Sequence, residues 1–281
     1  MMNSREYALQ ANGSFALPDA CFKVKALMED DNSGISDFAD VISIDPSMTS
    51  RLLQIANSAI YRFSGEISTI SRAISVIGTQ AIYNMMLVDV AASAFKHFAN
   101  QAIDLKRFWR MSIYCGLVTK NLAIKVGIKD IERLFVAGLL QNFGELLVAK
   151  ISPEIAQRCE QYNRNNLPWD LQELALGFTY TDISAELLKI WQLPEKIIIP
   201  IRHFNQAKSH QINKDVKVLN LASRLALLDS HDDEFDYDTV IDQSLCKSLG
   251  LSKDDIGQVA DIAVEDAVDI LTVMNPKLFS R

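Results

Sequence analysis

Three polar side chains interrupt an apolar segment of the chain. The segment reads FVAGLLQNFGELLVAK from Phe135 to Lys150, with Gln141 and Asn142 adjacent and Glu145 three residues later. In one continuous helix, Gln141 and Glu145 would share a face. A buried amide without a partner costs about 1–3 kcal/mol. These residues therefore indicate either a site that uses them or neighbouring groups that satisfy them.

The residues that most often bind metals are few and far apart. They are His97, His203, His210, His231, Cys21, Cys115, Cys159 and Cys246. No two of them stand at ligand spacing, and there is no C-x-x-C pair. His231 precedes two aspartates, but the segment does not follow the calcium-loop template. The spacing predicts no metal and no cofactor, with free thiols in a reducing compartment.

Composition restricts the class of protein. The chain has 281 residues, of which 49% are hydrophobic and 22% charged, and its net charge is −7. An acidic chain lacks the basic surface of a direct nucleic-acid binder, so we expect no nucleic-acid partner. The first residues lack the pattern of a secretory signal, the longest uninterrupted apolar stretch is short, and we expect that no segment approaches the ~20 residues that span a bilayer. We therefore expect a cytoplasmic protein without membrane contact.

Helical periodicity dominates the chain and must position the polar residues. One apolar stripe with 3-4 spacing consists of Phe108, Met111, Cys115, Val118 and Leu122. Gly127 then follows as a left-handed helix terminator. The chain contains only 11 glycines and 7 prolines and shows no convincing alternation of apolar and polar residues, which argues against a many-turned β protein. The sequence predicts an all-α fold.

Five phrases stand in the order found in a known family. They are LLQIANSAIYRF (52–63), ISTISRAISVIG (67–78), FWRMSIYCGLVTKNLA (from 108), LFVAGLLQNFGELLVA (from 134) and LGFTYTDISAELLKIWQLPEKIIIPIRHF (176–204). Together they resemble the HDOD family, a divergent branch of the HD-domain phosphohydrolases of bacterial signalling proteins. The resemblance implies a helical bundle with an N-terminal helical subdomain and a degenerate HD-like core. It places an HDOD-like domain at 14–210 and a helical extension, which completes or flanks the bundle, at 211–281.

The resemblance also implies where a metal centre would lie. An active HD enzyme binds divalent metals through His and Asp, because a bound metal lowers the pKa of water and neutralises phosphoryl oxygens. Amides and thioethers are poor ligands for such ions. The family's adjacent His-Asp pair is replaced here by Gln141-Asn142. The resemblance thus implies a vestigial pocket, with no catalytic residue and no metal, formed by Met111, Gln141, Asn142, Glu145, Tyr180, His203 and Ser223.

Five of these seven residues also have a purely structural interpretation. Met111 belongs to the apolar stripe and is predicted as a core residue. Tyr180 is predicted as a core or rim aromatic with a bonded hydroxyl, and His203 as a structural histidine. The two amides, Gln141 and Asn142, are predicted to bond to neighbouring groups such as Tyr180 or His203.

Three functions remain open at the level of sequence. The resemblance implies a non-catalytic regulatory module that acts by binding a protein partner, and a homodimer is left open. One alternative is a metal-dependent phosphohydrolase of nucleotides or cyclic dinucleotides. The other is a metal-free sensor that binds a small ligand in the vestigial pocket. Glu145 and the net negative charge disfavour an anionic phosphate there.

Overall fold

The structure is a computed structural model that describes residues 2–12, 18–58, 65–98, 102–209, 211–231 and 235–274. Over these residues it contains helices and no strand, which confirms the all-α prediction. The α-helices are α1 Ser4–Asn12, α2 Asp19–Glu29, α3 Ile35–Ser43, α4 Pro46–Ala56, α5 Ile70–Ile77, α6 Thr79–Phe98, α7 Leu105–Lys125, α8 Glu132–Leu140, α9 Phe143–Ile151, α10 Pro153–Cys159, α11 Pro168–Leu176, α12 Tyr180–Ile190, α13 Glu195–Arg202, α14 Lys214–Ser230, α15 Tyr237–Val240, α16 Gln243–Leu249 and α17 Lys253–Met274.

The helices form two compact units that do not follow chain order. The first unit comprises residues 1–15 and 97–264, and the second comprises 16–96 and 265–281. The first unit therefore combines α1 with α7–α16 and most of α17. The division at 210/211 that we expect from the family resemblance concerns sequence boundaries, and it stays a prediction.

The centre of the first unit is formed by α7, α8 and α14, each of which contacts the other two. Glycines allow α7 and α8 to approach closely: a Cβ added at Gly138 would lie 2.7 Å from the Cα of Gly116. Of the predicted stripe on α7, Phe108, Cys115, Val118 and Leu122 are buried. Met111 is only half-buried, so its prediction as a core residue is wrong. It lies at the wall of a cavity, where the apolar stripe meets polar neighbours.

The polar segment of the first unit bends where we expect a continuous helix. α8 ends at Leu140, a turn follows at Gln141 and Asn142, and α9 begins at Phe143. Asn142 has φ −105° and ψ 16°, outside the helical region, and its carbonyl oxygen accepts the first bond of α9 from the Glu145 N–H at 3.0 Å. The one-helix interpretation is therefore wrong, because the chain turns at the two amides.

This segment has the length and composition of a membrane span. Within the described residues, Glu132–Ile151 has a window of mean hydropathy 1.4, and 83% of that window is buried inside the protein. The expectation that no segment approaches the length of a membrane span is therefore wrong for this one. Its uninterrupted apolar runs are short, but Gln141, Asn142 and Glu145 are too few to lower the mean hydropathy of the whole segment. The helices packed around α8 and α9 account for the apolar character.

The second unit contains α2–α6, and an asparagine side chain joins its two characteristic phrases. Asn57, of the phrase IANSA, donates to the Ile67 carbonyl oxygen and accepts from the Ile67 N–H, both at 2.8 Å. Two residues later, the Thr69 hydroxyl caps α5 by accepting from the Arg72 N–H at 3.1 Å. Asn57 therefore fixes the entry to α5 by satisfying both backbone groups of one buried residue.

Candidate functional site

A small cavity lies among the helices of the first unit. Its volume is about 40 Å³, and its walls come from α7, the turn before α9, α9, α10, α11, α12 and α14. Six of the seven predicted site residues line it: Met111, Gln141, Asn142, Glu145, Tyr180 and Ser223. His203 is not among the lining residues. The vestigial role of these residues stays a prediction, but their juxtaposition is a feature of the fold.

The turn after α8 carries the lining residues Gln141 and Asn142, and close packing of α9 on α12 brings Tyr180 to the same cavity. α9 packs on α12 through Gly144, whose N–H donates to Ser184 Oγ at 2.9 Å. A Cβ on Gly144 would overlap the Tyr180 carbonyl oxygen, so only glycine allows this approach. The start of α12 is held further by Gln172 of α11, whose Oε1 accepts from the Tyr180 N–H at 2.9 Å.

One guanidinium group lies between two carboxylates at the cavity wall. Arg107 Nη2 is paired with Glu160 Oε2 and lies 3.8 Å from Glu145 Oε1. The Asn142 side-chain amide donates to Glu145 Oε2. Burial, followed by the nearby Glu160 carboxylate, raises the pKa of Glu145 to about 8, while Arg107 and the Asn142 hydrogen bond oppose the shift. Glu145 is therefore short of positive charge when it ionises.

Three buried polar atoms of lining residues have no oxygen or nitrogen atom as a hydrogen-bond partner among the described residues. They are Arg107 Nε, Gln141 Oε1 and Tyr180 Oη, and the Tyr180 hydroxyl lies beside the Cys159 thiol, a weak partner. Gln141 is 7% exposed and Tyr180 is 2% exposed. Burial, followed by the Glu145 charge, raises the pKa of Tyr180, so its hydroxyl stays neutral. A buried polar group without a partner lowers the free energy of unfolding by about 1–3 kcal/mol. A small molecule such as water, bound in the cavity, would remove this cost.

The expected partners of the two amides are only partly found. Asn142 has a side-chain partner, but it is Glu145 rather than Tyr180 or His203. The bonded hydroxyl predicted for Tyr180 is found only as a weak contact with the Cys159 thiol, and no oxygen or nitrogen atom of the described residues bonds to it. His203 follows α13 and is half-buried, away from the cavity lining. It was placed in the pocket by the family pattern, and the end of α13 positions it elsewhere.

Sequence reasoning missed both charged neighbours of Glu145, the cation Arg107 and the carboxylate Glu160. Arg107 lies one helical turn before Met111, so the cavity-facing side of α7 could have been extended to it by 3-4 spacing. Glu160 follows the last residue of α10 and is brought to Arg107 by the fold alone. The rim carries a further unpredicted pair, because the Arg224 guanidinium lies 4.9 Å from the ring centre of Trp169.

The donor set does not fit the divalent metal centre that we expect from a resemblance to HD enzymes. In the described parts of the chain, no group of three or more His, Cys, Asp or Glu side chains is placed to hold an ion. The two carboxylates at the cavity both face Arg107, whose charge repels a cation. The remaining lining groups include amides, a thioether, two phenols and an alcohol, which are weak ligands for such an ion, and the single thiol of Cys159. Burial raises the pKa of Cys159, so this thiol stays protonated and is a poor ligand as well.

Comparison with known proteins agrees with this architecture. Among solved structures, a Shewanella amazonensis SB2B protein named "Putative phosphohydrolase" superposes with a TM-score of 0.70 at 21% identity, over 95% of this chain and 98% of that one. A "Putative signal transduction protein" from Marinobacter aquaeolei VT8 also gives 0.70, at 22% identity, over 94% of this chain and 59% of that one. An HDOD domain protein of unknown function from Geobacter sulfurreducens gives 0.68 at 18% identity, over 99% and 98%. These similarities show a shared fold.

Sequence comparison identifies the family. An "Uncharacterized protein" of Treponema pallidum (strain Nichols) is 26% identical over 193 residues, which is 67% of this chain and 37% of that protein. This chain thus spans little more than a third of that relative's length. The family model of the HDOD domain matches residues 15–207, more than half of the chain. The chain belongs to the HDOD domain family.

Proposed function

We propose that this protein is a non-catalytic regulatory module that acts in signal transduction by binding a protein partner. The observation that carries the proposal is the ionic arrangement at the cavity. Arg107 stands between Glu145 and Glu160, where a divalent centre would need unpaired carboxylates or imidazoles. A guanidinium is always charged, so Arg107 holds a permanent positive charge beside both carboxylates and competes with a cation for them.

The size of the cavity supports the proposal over a nucleotide hydrolase. About 40 Å³ holds on the order of three water molecules, whereas sites for drug-sized ligands occupy about 300–1,000 Å³. A cyclic dinucleotide therefore has no room beside Glu145 without a rearrangement of the surrounding helices. The relatives named for phosphohydrolase and signal transduction activity support a common scaffold used in both ways.

Two exposed apolar side chains are suitable positions for testing whether the protein binds a partner. Leu174 on α11 is 79% exposed and belongs to the first unit, and Ile44, after α3 in the second unit, is 75% exposed. Single exposed apolar residues are common, so the proposal does not rest on them. They are the positions where a charge would disturb a partner contact at the smallest cost to folding.

Hydrolysis and partner binding are tested in parallel. Purified protein is incubated with Mn²⁺, Fe²⁺, Mg²⁺ or Zn²⁺ and with bis(p-nitrophenyl) phosphate or cyclic dinucleotides, beside an active HD phosphohydrolase as positive control. We expect no turnover above the buffer rate. Turnover that scales with protein, that a chelator abolishes and that Gln141→Ala reduces would contradict the proposal.

The partner assay uses cross-linking in cells followed by affinity purification of the tagged chain. We expect a discrete cross-linked partner that is lost with Leu174→Asp or Ile44→Asp and retained with the matched surface change Glu173→Gln. An unrelated protein with the same tag serves as the negative control. Binding by a specific surface would be contradicted if this control recovers the same proteins, or if no surface charge placed around the two positions reduces the cross-linking.

A further inference from the structure

The cavity lining contains two carboxylates, Glu145 and Glu160, but one cation, Arg107. The Glu145 side chain is 8% exposed, and the side chains of Arg107 and Glu160 are each 23% exposed. The same nitrogen, Arg107 Nη2, is paired with Glu160 and lies 3.8 Å from Glu145. A buried charge without a full partner is costly, and a proton is the smallest cation that can remove it.

The groups that face Glu145 come from every surrounding element. α7 contributes Arg107, the end of α10 contributes Cys159 and Glu160, the following connection contributes Tyr162, and α12 contributes Tyr180. Lining residues from α11 and α14 carry no ionisable side chain there. Two further ionisable groups lie behind the wall, where Arg158 is near Cys159 and His231 Nε2 bonds to the Tyr162 hydroxyl at 3.0 Å. With Glu145 ionised, the lining carries one guanidinium and two carboxylates.

The unpaired atoms at the wall indicate that the cavity is hydrated. Arg107 Nε offers a donor, Gln141 Oε1 offers an acceptor, and the Tyr180 hydroxyl can do both. Water satisfies such a mixed set, whereas a cation accepts no bond from Arg107. About 40 Å³ holds on the order of three waters. The cavity therefore supplies a solvent contact for a proton that enters or leaves.

We propose that Glu145 is a proton-binding site that controls how Arg107 is divided between Glu145 and Glu160. With Glu145 neutral, Arg107 pairs with Glu160 alone. When the O–H bond of the Glu145 acid breaks and the proton passes to solvent, the new carboxylate competes for the same guanidinium. This inference goes beyond the proposed function, because it assigns an input to the site and holds whether or not a partner is found.

The element that responds is the connection between α10 and α11. Glu160 follows α10, and Arg107 is its ion-pair partner on α7. The connection closes on itself through paired backbone bonds between Asn163 and Asn166, at 3.0 and 3.1 Å. Weakening the Arg107–Glu160 pair removes a tie between α7 and this connection, so its backbone amides open more often as Glu145 ionises.

Two measurements across pH 6 to 10 test the inference. The ¹³C shifts of the glutamate carboxyl carbons report titration, and hydrogen exchange of the 161–167 amides reports opening. We expect one carboxyl to titrate near pH 8 and to be absent in Glu145→Gln. At each pH, amide exchange at 161–167 is compared between the wild type and Glu145→Gln. The ratio of the two rates should rise as Glu145 ionises, while the amides of α5 should exchange equally in both proteins.

A second variant keeps the test decisive if Glu145→Gln fails to fold. Glu160→Gln removes the competing carboxylate, so Arg107 pairs with Glu145 alone. The titration of Glu145 should then move to lower pH by at least one unit. The inference is overturned if no carboxyl titrates above pH 6, or if the titrating carboxyl is unmoved by Glu160→Gln. It is also overturned if 161–167 exchange in the wild type matches that of Glu145→Gln throughout.

Discussion

Gly144 of α9 lies directly against the Tyr180 backbone of α12. A Cβ at Gly144 would overlap the Tyr180 carbonyl oxygen and lie 2.9 Å from Ile183 Cβ. This contact brings together α9 and α12, and the amide turn before α9 and Tyr180 both line the cavity. The absence of a side chain at Gly144 therefore allows the approach of two of the elements that form the site.

Gly144→Ala should destabilise the protein by about 3 kcal/mol, since the new methyl group must push two backbones apart. The measurement is the free energy of unfolding in urea. Gly257→Ala is the matched control, because Gly257 lies in α17 with no atom within 4 Å of an added Cβ. There the change should stabilise the protein by about 0.5–1 kcal/mol. Equal effects at the two positions would contradict the close packing of α9 on α12.

Glu145→Gln should remove a pH dependence of stability. The Glu145 pKa is raised from 4.5 to about 8 in the folded protein, so the folded state holds this proton more tightly than the unfolded state. The stabilisation that comes from this bound proton is fully present below pH 4.5 and is lost as the pH rises towards 8. Over that range the free energy of unfolding falls by up to about 1.4 kcal/mol per pH unit. Thermal melts from pH 5 to 9 should show this slope in the wild type and in the exposed control Glu173→Gln. A wild-type slope that Glu145→Gln retains would contradict the buried acid.

Arg107→Met should destabilise the protein by about 2–3 kcal/mol, because it leaves two carboxylates in the cavity without a cation. The loss should be larger above pH 8, where Glu145 is ionised, and Glu145→Gln should partly restore stability in the double variant. Arg110→Met is the control: its side chain is 55% exposed and pairs with Asp229 at 3.2 Å, so the cost should stay below about 1 kcal/mol. Urea unfolding at pH 6 and pH 9 distinguishes these cases. Additive effects of Arg107→Met and Glu145→Gln at pH 9 would contradict the ionic coupling.

Asn57→Ala should cost about 1–2 kcal/mol, since both backbone groups of Ile67 lose their bonds to this side chain. Asn32 is a suitable control in the same unit, because its side chain bonds only to Asp30 at an exposed site. Asn32→Ala should change the free energy of unfolding by less than about 0.5 kcal/mol. If the two variants are equally stable, Asn57 does not hold the entry to α5.

Helix content and the position of the site were accessible from sequence, because apolar stripes and family phrases repeat local patterns. Gly127 has φ 77° and follows the end of α7, as its position after the stripe predicts. The break at Asn142 was not accessible, since apolar residues continue on both sides. The Arg107–Glu160 pair was not accessible either, because 53 residues separate its members. Long-range ionic contacts of this kind depend on packing that no local pattern contains.

Metal content is the most direct test of the central proposal, which is that the cavity residues do not bind a divalent metal. The purified protein is incubated with manganese, iron, magnesium or zinc, desalted and analysed by elemental mass spectrometry. An active HD phosphohydrolase serves as the loaded control. We predict well under one metal ion per chain under every condition. A stoichiometric ion that survives desalting and is lost in Glu145→Gln would contradict the account and place a metal in the cavity.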